Sequence, residues 1–152
     1  MSGRIERRTL QASTTPRWLR PRLTRDQQRA TAIIVYQKLL DIDQGVATVE
    51  TLWDMARDAF TWSRVAELLG TGHAEMLAYL ELVTRTIEHY GRTGRVEFAS
   101  SRDAALARLG AAWMEDLAGI TDRETAVAAA AWSEACVDVL CAAQAKQDQR
   151  AA

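Results

Sequence analysis

The side chains of this 152-residue chain best suited to bind a metal or attack a substrate are two histidines and two cysteines, and their spacing keeps them apart. His73 and His89 fall sixteen residues apart on one predicted helix, roughly 24 Å along its axis, so a single site cannot use both. No Glu-x-x-His pair occurs, which removes the usual di-iron bundle. Cys136 and Cys141 are five residues apart, about 140° around a helix, and cannot pair without breaking it. Both read as small core hydrophobes. The chain has no Gly-x-Ser-x-Gly elbow, no phosphate-binding Gly-x-x-x-x-Gly-Lys loop and no Gly-x-Gly-x-x-Gly. Acidic pairs such as Glu115 with Asp116 read as solvated helix surface. The sequence therefore predicts a protein that is not an enzyme, with no metal and no cofactor.

Two other groupings could meet a partner. The first is a basic arm. The net charge of −1 hides a division of +6 over residues 1–30, which carry eight arginines, and −7 over the rest. Within that arm Arg17, Trp18, Arg20, Arg22 and Arg25 place an aromatic ring among cations. Arginines pair with phosphates and an indole stacks on a base, so these residues, with Arg92 and Arg95 in a later loop, form a candidate nucleic-acid-binding set. The same arginines suit salt bridges to the acidic remainder of the chain equally well, and both readings stay open.

The second grouping runs from Trp62 to Tyr79. Ala66, Gly70, Met76 and Tyr79 stand at helix-turn-helix spacing, the small residues letting two helices cross closely. The second helix of the pair argues against base reading. It offers His73, Glu75 and Glu81 where Arg, Lys, Asn or Gln would be wanted, and carboxylates would meet phosphates. A plain helical corner is the simpler expectation.

The elements that must position these residues are helices. Apolar side chains make up 48% of the chain and charged ones 26%, the balance of a single soluble domain rather than a disordered tail. Two cysteines are too few for a secreted disulfide scaffold. No stretch reaches the roughly 20 uncharged apolar residues of a membrane span, and the start lacks a secretory apolar core, so a cytoplasmic location is expected. Residues 1–22 hold both prolines and read as an Arg-rich flexible arm. Residues 23–146 read as one helical domain and 147–152 as a polar tail.

Within the domain, helix one starts at Thr24, which forms a capping box with Gln27, and stops near Asp43. Its Ile33, Ile34, Val35, Tyr36, Leu39 and Leu40 cover more than one stripe, so it is expected to be central or shared between subunits. Helix two spans Thr48 to Leu69, with Gly70 as its stop. Helix three spans His73 to Tyr90, with Met76, Leu77, Leu80, Val83, Ile87 and Tyr90 at spacings of three and four. Residues 91–100 could form a brief strand at Val96 and Phe98. Helix four spans Ser101 to Ala118 and ends at Gly119. Helix five opens on a second capping box, Thr121 with Glu124, and runs to about Ala145. Its small run Ala126 to Ala131 permits close helix approach, with Trp132 filling the groove a neighbour leaves.

Leu23-Thr24 with Gln27, Gly45-Val46-Ala47-Thr48-Val49-Glu50 and Tyr90-Gly91-Arg92-Thr93-Gly94 resemble a group of small helical proteins encoded on proteobacterial phages and integrative elements, some labelled as regulators. The resemblance covers roughly residues 23–140. It implies architecture and a mobile-element origin, and carries no functional residue.

The expectation is thus an all-α bundle of about five helices with an extended basic N-terminal arm. It acts as a non-enzymatic interaction or regulatory accessory protein, self-associating as a homo-oligomer such as a homodimer, with no membrane. The sequence does not say which protein it meets. The alternative is a DNA- or RNA-binding regulator that uses the arm and the 62–79 corner.

Overall fold

Thr24 opens the first helix as its type and spacing demand: its hydroxyl accepts from the Gln27 amide at 3.2 Å and its own amide donates to the Gln27 side chain at 2.9 Å. The computed structural model describes residues 15–151. In them five helices follow one another: α1 (Arg25–Asp43), α2 (Val49–Leu69), α3 (His73–Thr93), α4 (Ser101–Ile120) and α5 (Arg123–Ala151). They form an all-α bundle. Ahead of them Arg17–Leu19 make one 3-10 turn. Among the described residues there is no strand, only an isolated antiparallel bridge between Arg22 and Asp122.

The helix at the centre is α2, packed most extensively on α3 and α5 and more lightly on α1 and α4. Its Leu52, Met55, Ala59, Trp62 and Ala66 recur every three or four residues and are all buried. Against it α3 sets Met76, Tyr79, Leu82 and Val83, and α4 sets Ala107, Ala111, Met114 and Leu117. Leu77, assigned to the buried stripe from spacing, is exposed, and Tyr79 takes the inner position.

The expectation of a central α1 is corrected. Val35, Leu39 and Ile42 alone are buried on it, and Ile33, Ile34, Tyr36 and Leu40 face outward. It runs antiparallel to α4, tied by Arg108 to Asp43 at 2.9 Å and by the Tyr36 hydroxyl donating to Glu115 at 3.3 Å. Lys38 reaches Asp58 of α2 at 2.6 Å. Burial pushes the Asp58 carboxyl above its ordinary range despite that lysine.

The turn between α2 and α3 is three residues, and its two glycines carry it. Gly70 and Gly72 both have positive φ, +72° and +74°. A Cβ on Gly70 would meet nothing, whereas one on Gly72 would stand 2.9 Å from Cε3 of Trp113 on α4. We expect Gly70→Ala to cost about 1 kcal/mol, the strain of a left-handed alanine, and to lower the thermal midpoint by roughly 3 °C. Gly72→Ala should lower it further, and equal shifts from the two would show that Trp113 does not clamp the corner.

Three boundaries differ from the sequence expectation. Residues 94–100 form a loop, with α3 running on to Thr93 and Val96 and Phe98 packing half-buried on the core instead of pairing as a strand. Gly119 lies inside α4, which ends one residue later. The cap of α5 is Asp122, whose carboxylate accepts from the Thr125 amide at 2.8 Å and hydroxyl at 2.7 Å. Thr121 closes α4 instead, its amide donating to the Leu117 carbonyl at 2.9 Å.

Helix α5 lies antiparallel on α2. The Ser133 hydroxyl donates to the Arg57 carbonyl at 2.9 Å, and Trp132 meets Phe60 edge-on at 6.1 Å beneath the Arg64 guanidinium. Val137 is its last buried residue. From residue 138 to Ala151 the helix continues with every residue exposed to solvent in part or whole, so the segment expected to be a polar tail is helical up to that point. Alone among the described helices α5 is long and apolar enough to cross a membrane by length and composition, a property its many alanines supply.

Candidate functional site

The arm and the corner come together at one end of the bundle. Arg17 donates to the Leu68 carbonyl at 3.0 Å, placing a cation at the negative end of the α2 dipole. Arg20 donates to the Thr15 carbonyl at 2.9 Å and stands 3.7 Å from Glu124 of α5. The backbone of the arm is stitched to the α4–α5 corner, the Arg123 amide donating to Pro21 at 2.9 Å and the Leu23 amide to Thr121 at 3.4 Å. Residues 15–22 are therefore held against the domain. Arg4, Arg7 and Arg8 lie outside the described residues.

Arg22 and Arg25 are exposed and make no ion pair among the described residues, and Trp18 is 82% exposed. Arg92 and Arg95 sit elsewhere. Arg92 is in the last turn of α3, and Arg17 binds next to where α3 begins. With 21 residues in that helix, its ends are about 30 Å apart. Arg17, Arg20, Arg22 and Arg25 do not form one ridge with Arg92 and Arg95.

The 62–79 corner has the packing its spacing called for, with Ala66, Met76 and Tyr79 all buried. The outer surface of α3 presents Glu75, Glu81 and Glu88, and Arg85 among them is bound to Asp103 at 3.0 Å. A phosphate backbone laid along α3 would meet carboxylates.

Polar groups that could do chemistry stay scattered. His89 faces Glu97 at 3.1 Å, and His73 is half-buried at the start of α3. Burial pushes the Cys136 thiol up, against nearby Arg64. Cys141, expected in the core, is exposed. It lines an open cavity of about 410 Å³ with Glu50, Trp53, Asp54, Arg57 and Val137. No three of the described His, Cys, Asp and Glu side chains are grouped to hold a metal ion.

A feature that the sequence does not name is a groove between α1 and α5. Leu23, Ala30 and Ile34 form one wall, Ala126, Val127 and Ala130 the other, and Trp62 of α2 the floor. Its volume is about 360 Å³. Gln27, Thr31 and Arg123 supply its polar groups, Arg123 alone being charged. Beside it Ile33 and Ile34 are 59% and 54% exposed, and Val127 is 60% exposed. The broad apolar coverage of α1 signalled this surface, but only the antiparallel seating of α5 on α2 shows that a trough runs alongside it.

Set against protein-family models, curated proteins and solved structures, the chain matches none of them.

Proposed function

We propose that this chain is a non-enzymatic helical interaction protein, of regulatory or accessory type, that self-associates through the α1–α5 face. One observation carries the reading: the exposed side chains of Ile34 and Val127 stand on opposite walls of an apolar groove floored by Trp62. Such a face can meet a second copy of itself, since a two-fold rotation brings the exposed wall residues of each copy over the other copy's groove. Contiguous apolar surface with aromatic and small side chains and few charges is the composition of subunit contacts. A mobile-element origin goes with this reading only through the resemblance at the helix caps and loops.

A nucleic-acid regulator is less well supported, because Arg17 is bound to the Leu68 carbonyl, Arg20 faces Glu124, and Arg92 and Arg95 lie at the far end. The test is a pair of matched substitutions. Val127→Arg, in the groove wall, should convert an oligomer to monomer in size-exclusion chromatography. Leu109→Arg, equally exposed but on the outer face of α4, should leave the oligomer intact. Two variants that behave alike would remove the assignment of this face.

A further inference from the structure

The arm end of the bundle is a second surface, and its chemistry differs from that of the α1–α5 face. Trp18, Leu19, Leu68 and Ile120 are all exposed there, with Trp18 and Ile120 lining one open cavity of about 410 Å³ together with Leu69. Arg22 lines the same cavity, and Arg25 and Arg123, the latter shared with the α1–α5 groove, stand exposed in the adjoining segments, none of the three with an ion pair among the described residues. Of the acids at this end, Asp122 is buried and bonded to Thr125 and Glu124 faces Arg20, while Asp26 beside Arg25 and Glu75 in the first turn of α3 are exposed. The result is an apolar tip inside a cationic collar.

We infer that this end docks on an anionic lipid bilayer. An indole and three aliphatic side chains gain by entering the boundary between headgroups and acyl chains, while arginines around them attract anionic headgroups. The contact is peripheral, so it needs no spanning helix. Nucleic acid is the poorer match: it would use the cations and the indole but leave Leu19, Leu68 and Ile120 without a role, and a long strand would have to reach past the acidic face of α3.

Flotation of the full-length chain with vesicles tests this. The protein should float with vesicles of phosphatidylcholine mixed with phosphatidylglycerol, less so at high salt, and not with phosphatidylcholine alone. Trp18→Ala should weaken the partition about tenfold, and Arg22→Glu on the order of thirtyfold, since it removes one positive charge and adds one negative charge. Arg92→Glu makes the same charge change at the opposite end and should alter it less than twofold. Trp18 is so exposed that its loss leaves the fold intact, which circular dichroism checks. No flotation at low salt with the anionic vesicles would overturn the inference. So would equal losses from Arg22→Glu and Arg92→Glu, or retention of a mixed-sequence oligonucleotide by a protein that ignores vesicles.

Discussion

Replacing Gly110 by alanine should destabilise the protein by about 3 kcal/mol, the upper part of the range for overpacking a core, and lower its thermal midpoint by roughly 10 °C. Gly110 is buried in the middle of α4, where a Cβ would stand 2.3 Å from Cδ2 and 2.8 Å from Cγ of Tyr79. Tyr79 is itself buried on α3, so its ring has nowhere to retreat. The glycine lets α3 and α4 approach over that ring. Gly110→Val should therefore leave little folded protein. A double-mutant cycle isolates the cause: with Tyr79→Ala already in place, Gly110→Ala should cost less than about 1 kcal/mol. Additive losses would show that the strain arises elsewhere.

The second large effect is expected at Asp122. Removing its carboxylate takes away the cap of α5 and leaves the buried Thr125 hydroxyl without its 2.7 Å acceptor. A lost cap and an unpaired buried donor together give about 3 kcal/mol. Asp122→Ala should show that loss in chemical denaturation, and Asp122→Asn should recover part of it through the side-chain oxygen. The effect also depends on pH. Burial pushes this carboxyl up, but the Thr125 hydroxyl and amide and the nearby Arg20 outweigh it, so it ionises below the usual aspartate range. A depressed folded value means the contribution is present above the ordinary aspartate range and disappears as pH falls through the folded value. Wild type should thus lose more stability than Asp122→Ala on acidification. Parallel pH profiles would contradict the assignment of this carboxylate.

Local signals were legible where local chemistry decides. Thr24 with Gln27, and Gly70 after Leu69, fix helix ends through bonds and backbone angles within a few residues of themselves. Thr121 shows where this stops. The Thr-x-x-Glu pattern is a correct capping signature, yet the chain spends Thr121 on closing α4 and accepting the Leu23 amide, and the next residue caps α5. Only the tertiary partner distinguishes the two uses. Gly110 carried a readable signal, a glycine amid helix formers, whose meaning depended on Tyr79 arriving from another helix.

The candidate site was legible in part for the same reason. Composition shows that α1 has more apolar surface than one core contact uses. It cannot show that α2 occupies the centre instead, leaving Ile33, Ile34 and Leu40 outside. The basic set is divided between two ends because sequence gives types and spacing but no ends: the length of α3 places Arg92 and Arg95 away from the arm.

Sedimentation velocity of the unmodified chain across micromolar concentrations reports directly on whether the α1–α5 face joins two copies. A concentration-dependent species of twice the monomer mass is expected, which Ile34→Arg returns to the monomer. A single sharp monomer boundary at every concentration, in wild type and variant alike, would contradict it.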